Sequence, residues 1–91
     1  MEVSIRRPLT PEEKAQLRDL LLRQKEEILR TDPDSEILQE IEEALKRFET
    51  GDYGRCIDCG VWIRIKRLET LPWAKRCRAC QEKWEMLEAV E

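Results

Sequence analysis

The chain has 91 residues, 41% hydrophobic and 41% charged, with 17 Lys or Arg against 20 Asp or Glu for a net charge of −3. A chain of this size forms one small domain, or a small module with an extension, and buries limited apolar surface, so a staple is expected. It has no histidine and three glycines, and neither a serine triad nor a Gly-rich phosphate loop is visible; no catalytic residue is assigned and an enzyme is not expected.

The start, MEVSIRRPLTPEEK, carries no apolar run that would serve as a signal-peptide core. The longest aliphatic run, Leu20-Leu21-Leu22, is far too short to span a bilayer. The expectation is a soluble, cytoplasmic protein with no membrane partner. Residues 1–10 form an N-terminal arm in which Val3 and Ile5 alternate.

Residues 11–50 predict a helical hairpin. Thr10-Pro11-Glu12-Glu13 combines an N-cap, proline at the first helical position and glutamate at the third, a capping box ahead of an apolar run. Leu17, Leu21 and Ile28 share a face, with Gln24 between them and Leu20 widening the stripe. The first helix should run from about 11 to 30, roughly 30 Å long. Pro33 disfavours helical geometry at Asp32, and Asp32 is expected to cap a second helix with Pro33 at its first position. That helix carries Ile37, Leu38, Ile41, Ala44, Leu45 and Phe48 at spacings of three and four, and stops at Gly51. Each stripe buries the other, and these positions are read as seam.

Residues 51–80 contain Cys56-x2-Cys59-x17-Cys77-x2-Cys80, a spacing that reads as a four-cysteine zinc finger. In a reducing compartment paired CxxC motifs favour metal over disulfide. Two such turns complete a tetrahedron of thiolates, and with every position filled by protein the single Zn2+ is structural. A third helix, about 79 to 90, should place Trp84, Leu87 and Val90 on one face, so that residues 81–91 pack on the finger.

Charge is uneven. Residues 31–45 hold six acids and no base, whereas residues 55–78 hold seven bases against Asp58 and Glu69. Zinc with four thiolates carries a formal charge of −2, which lowers the positive excess of the finger.

The stretch GDYGRCIDCGVWIRIKRLETLPWAKRCRACQ resembles the DksA/TraR family of bacterial zinc-finger proteins. The matching pattern is aromatic-Gly before the first cysteine, CxxCG, Ile63, Arg67-Leu68-Glu69, Pro72 and the second CxxC. The resemblance implies a mostly α protein: an antiparallel two-helix coiled-coil hairpin, a four-cysteine zinc finger and a C-terminal helix. It also implies a transcription regulator that binds RNA polymerase, inserting the hairpin tip into the secondary channel, often together with the nucleotide ppGpp. Asp32, Asp34 and Glu36 would be the tip contacts, and Arg64, Lys66, Arg67 and Lys75 a basic partner surface on the finger. The family's tip motif sets two Asp three apart with Ala two further on, whereas TDPDSE has Asp32 and Asp34 two apart, and the hairpin reads as shorter. Basic positions linked to ppGpp in the family align with Glu40, Leu71 and Gln81, none of them basic, so nucleotide dependence is not expected.

Two rival classes remain. A zinc ribbon binding nucleic acid would use those four cations on phosphate with Trp62 or Trp73 stacking on bases; the acidic chain argues against direct DNA binding. A zinc-stabilised protein–protein adaptor would use the hairpin alone.

Overall fold

The computed structural model describes residues 7–89 and contains four helices, α1 (Pro11–Thr31), α2 (Glu36–Thr50), α3 (Ile65–Thr70) and α4 (Arg78–Ala89). Val3, Ile5 and Val90 lie outside the described residues. Among those described, the extended pairing is an isolated antiparallel bridge between Arg55 and Trp62. The chain is mostly α, and no described helix is long and apolar enough to cross a membrane.

The start of α1 is written locally. The Glu13 N–H donates to Thr10 Oγ1 at 3.1 Å and the Thr10 N–H donates to Glu13 Oε1 at 2.9 Å. Arg7 adds a two-pronged bond to the same carboxylate, each prong 2.7 Å long. Together the Arg7 guanidinium and the Thr10 N–H hold the Glu13 carboxyl down at about 2.

The turn differs from expectation. Asp32 closes α1, its N–H donating to Ile28 O at 2.7 Å, and its own carbonyl accepts the Ser35 N–H at 3.0 Å. The cap of α2 is Ser35, whose Oγ accepts the Ile37 N–H at 3.2 Å. A helix starting at Pro33 would leave no residues to reverse the chain after α1; residues 32–35 are spent on that reversal, and the cap moves three positions on.

Leu17 and Leu21 of α1 and Ile41 and Ala44 of α2 are buried, and Ile28, Leu45 and Phe48 pack partly buried against them. Ile37, expected within the seam, is more than a third exposed near the tip. At the far end Gly51 takes a left-handed φ of +83° and stops α2, as a C-cap glycine does.

The same core runs on into the second half of the molecule. Leu9, Tyr53, Cys56, Ile63, Leu68, Ala74 and Cys77 join the hairpin residues in one cluster. Tyr53 stacks on Phe48 of α2 at 3.9 Å and donates its hydroxyl to Pro72 O at 2.8 Å. Burial pushes the Tyr53 phenol well above its ordinary pKa, so it stays a neutral donor. Gly54 has φ +92°, and a Cβ there would lie 3.2 Å from Leu9 Cδ1; only glycine combines that backbone with so close an approach.

Two polar contacts tie the halves together. Lys75 Nζ lies 3.3 Å from Glu40 and 3.5 Å from Glu43, both on α2. Arg47 of α2 donates through Nη2 to Ala74 O at 3.3 Å. The helix α3 was not anticipated. Its six residues follow Arg64, which makes no side-chain cap, and it is fixed through buried Leu68. The outer turns of α4 also differ from expectation: Trp84 is 40% and Leu87 75% exposed. This helix is held by its first turn, where Cys80 sits, and its later turns stand clear of the core.

Candidate metal centre and partner surfaces

Each CxxC forms a tight turn that aims two sulfurs inward. Around the first, the Cys56 N–H donates to Val61 O at 2.8 Å and the Gly60 N–H donates to Cys56 O at 3.0 Å. Around the second, the Gln81 N–H donates to Cys77 O at 2.9 Å, which continues directly into α4. The Ile57 N–H donates to Lys75 O at 2.9 Å and sets the two turns side by side.

The four sulfurs consequently lie within 4.8 Å of one another, with Cys59 Sγ and Cys77 Sγ 3.7 Å apart. Tetrahedral zinc with Zn–S bonds of about 2.3 Å places its sulfurs roughly 3.8 Å apart. The chemistry agrees with the geometry. Burial opposes ionisation of Cys56, yet N–H groups of Cys59, Cys77 and Asp58 directed at its sulfur hold the thiol below its ordinary pKa. Cys80 is pushed upward by the sulfurs of Cys59 and Cys56. Amide donors that favour a thiolate, beside sulfurs that oppose a second one, form a conflict that a divalent cation resolves. The cluster suits one structural zinc and leaves no open coordination position.

Comparison with known proteins identifies the architecture. The Prokaryotic dksA/traR C4-type zinc finger profile matches residues 51–85. A solved structure from Chlamydia trachomatis L2, titled as an RNA polymerase binding protein and transcriptional regulator Dks, superposes with a TM-score of 0.79 at 32% identity, covering 92% of this chain and 100% of that one. The chain belongs to the DksA/TraR family. The DksA2 structure from Pseudomonas aeruginosa gives a TM-score of 0.70 at 29% identity, covering 86% of this chain and 87% of that one. The RNA polymerase-binding transcription factor DksA of Escherichia coli (strain K12) is 39% identical over 62 residues, 68% of this chain. That match spans only 41% of the longer curated protein, so this DksA/TraR-family chain covers about two fifths of such relatives.

The fold distributes the other expected site residues unevenly. Asp32, Asp34 and Glu36 are exposed together at the turn between α1 and α2. The four finger cations do not form one free surface. Lys75 is drawn onto Glu40 and Glu43, and Arg67 Nε donates to Arg76 O at 3.2 Å. Arg64 and Lys66 are exposed and make no ion pair among the described residues. The Lys75 contact spans 35 positions, and no local signal in the sequence points to it.

Sequence reasoning also passed over Arg76, which pairs with Asp58 at 2.7 Å and covers the Trp84 ring at 4.9 Å. Arg55 lies over Trp62 at 5.2 Å. Trp73 is partly buried against the core. None of the three indoles is thus an open stacking platform. Glu40, Leu71 and Gln81 converge on one cleft of about 430 Å³, together with Lys75, Arg76 and Arg78.

Proposed function

We propose that this chain is a non-enzymatic, cytoplasmic transcription regulator that binds RNA polymerase, with the tip of the α1–α2 hairpin inserted into the secondary channel. The observation that carries this reading is the likeness to the chlamydial Dks over the whole of that chain, hairpin and finger together. The names of the curated relatives, RNA polymerase-binding transcription factor DksA, point the same way. In this reading residues 11–50 are the probe, residues 51–80 the metal-held base and residues 81–89 a projecting helix. Affinity capture with the tagged, zinc-loaded chain should retain polymerase from a bacterial lysate and from the purified enzyme. Failure to retain purified polymerase at physiological salt would sink the reading.

The tip residues act as acidic contacts. Asp32 and Asp34 are exposed and lie at the end of the hairpin farthest from the metal. A charge-assisted hydrogen bond at a buried contact contributes about 1.5–3 kcal/mol. Asp34 neither caps a helix nor forms a salt bridge among the described residues. Asp34→Asn is therefore expected to leave the melting temperature nearly unchanged and to weaken regulation in transcription in vitro. Equal regulation by the two proteins would move the function to the finger.

Regulation is expected to be independent of ppGpp. Glu40 places a carboxylate in the cleft that also holds Leu71 and Gln81; Lys75 is engaged by it and Arg76 by Asp58, which leaves Arg78 as the largely exposed cation there. A pyrophosphate needs cationic partners that are free to turn toward it. Calorimetry should find ppGpp binding to the complex no tighter than to polymerase alone; a clear gain on adding this protein contradicts the proposal.

A further inference from the structure

A second cleft, about 680 Å³, adjoins the first along Arg67, Leu71, Arg78 and Glu82 and lies between α3 and the first turns of α4. Its floor is apolar, with Ile63, Leu71 and Ala79 beside Cys77 of the metal centre, and its rim carries Arg64, Lys66, Arg67 and Arg78, whose four charges exceed the −2 of a zinc–thiolate centre. The one acid lining it, Glu82, lies 3.6 Å from Arg78, and both side chains are largely exposed, so the pair is weak. Arg64 and Lys66 have no ion-pair partner among the described residues. The size falls within the range of dedicated ligand pockets.

The occupant is narrowed by what the cleft combines. Four cations select for negative charge, while an apolar floor gains only from apolar side chains. A phosphate backbone offers nothing to the floor, and no aromatic side chain lines the cleft for a base to stack on. A polypeptide with acidic residues on one side and aliphatic residues on the other satisfies rim and floor together.

We propose that the α3–α4 cleft is a docking site for an acidic amphipathic peptide segment of a partner protein. That the partner is polymerase rests on the function proposed above; the chemistry of the cleft does not. The segment lays carboxylates against Arg64 and Lys66 and its aliphatic side chains over Ile63, Leu71 and Ala79. Charge attraction gives orientation and salt sensitivity, and the floor preserves part of the affinity when salt screens the rim.

The test is fluorescence anisotropy of the zinc-loaded full chain with a short fluorescein-labelled peptide of glutamate and leucine in helical spacing. Its glutamine–leucine counterpart and a labelled single-stranded oligonucleotide serve as comparisons. The glutamate peptide is expected to bind, and the double variant Arg64→Glu/Lys66→Glu to bind it at least tenfold more weakly. Arg18→Glu, an exposed charge reversal on α1, should bind as wild type does. Circular dichroism and zinc content establish that each variant is folded. Equal binding by wild type and the double variant, a preference for the oligonucleotide, or no binding of the glutamate peptide overturns the proposal. Polymerase capture run alongside separates the two readings: retained polymerase without peptide binding removes the cleft alone, and peptide binding without polymerase removes only the partner's identity.

Discussion

Removing zinc with a strong chelator, or replacing one ligand in Cys77→Ser, unfolds residues 51–80 while much of the helical signal of α1 and α2 survives. The finger has four large buried side chains of its own besides two ligand cysteines: Tyr53, Ile63, Leu68 and Pro72. Four such side chains are too few to order thirty residues. Structural zinc contributes apparent binding free energies of about 10–16 kcal/mol in comparable peptides, so ion binding supplies much of the finger's folding free energy. Near-ultraviolet dichroism from Tyr53, Trp62 and Trp73 should collapse on chelation and return with added zinc. Metal analysis should find one zinc per chain. A melting curve unchanged by chelator would refute the metal as the finger's main support.

Ile41→Ala is expected to destabilise the whole molecule by about 2–5 kcal/mol, the usual range for truncating a fully buried isoleucine. Ile41 has no exposed surface and belongs to the cluster that joins Leu17 and Leu21 to Tyr53 and Leu68. The cavity thus opens where both halves of the molecule meet. For a domain of this size each kcal/mol shifts the melting temperature by about 4–8 °C. Leu29→Ala is the control: Leu29 is 48% exposed, and its loss should stay within about 0.5 kcal/mol. Equal melting temperatures for Ile41→Ala and wild type would mean that the hairpin seam is not the core described above.

What the sequence made legible was what neighbours in the chain decide. The capping box at Thr10 and Glu13, the stop at Gly51 and the CxxC turns each depend on a few adjacent residues, and each is where the spacing places it. The second helix start was misplaced because Asp32 and Ser35 are both good caps, and only the need to turn the chain chooses between them. The short α3 has no side-chain cap and too few residues to show a period. The basic surface Arg64, Lys66, Arg67 and Lys75 is overcounted because Lys75 is spent on Glu40, 35 positions away, and Arg67 donates to the Arg76 carbonyl, nine positions on. No rule of local spacing contains those distances. Trp84 and Leu87 share a helical face, but no helix of the described structure packs on it, and only the Arg76 guanidinium lies over the Trp84 ring.

The seam of the hairpin repeats with a period that restricts how far it can reach. Leu17, Leu21, Gln24 and Ile28 alternate steps of four and three, and Ile37, Ile41, Ala44 and Phe48 do the same on the returning helix. Such a seam keeps facing its partner only when residues are added or removed seven at a time on both arms. One such step is about 10.5 Å at 1.5 Å per residue, against a first arm of 21 residues, or about 32 Å. Hairpins on this plan can therefore lengthen or shorten only in coarse increments, each roughly a third of the arm. A single inserted residue would leave the length almost unchanged and rotate every apolar side chain beyond it out of register, so reach evolves in jumps while composition at the turn is free to drift.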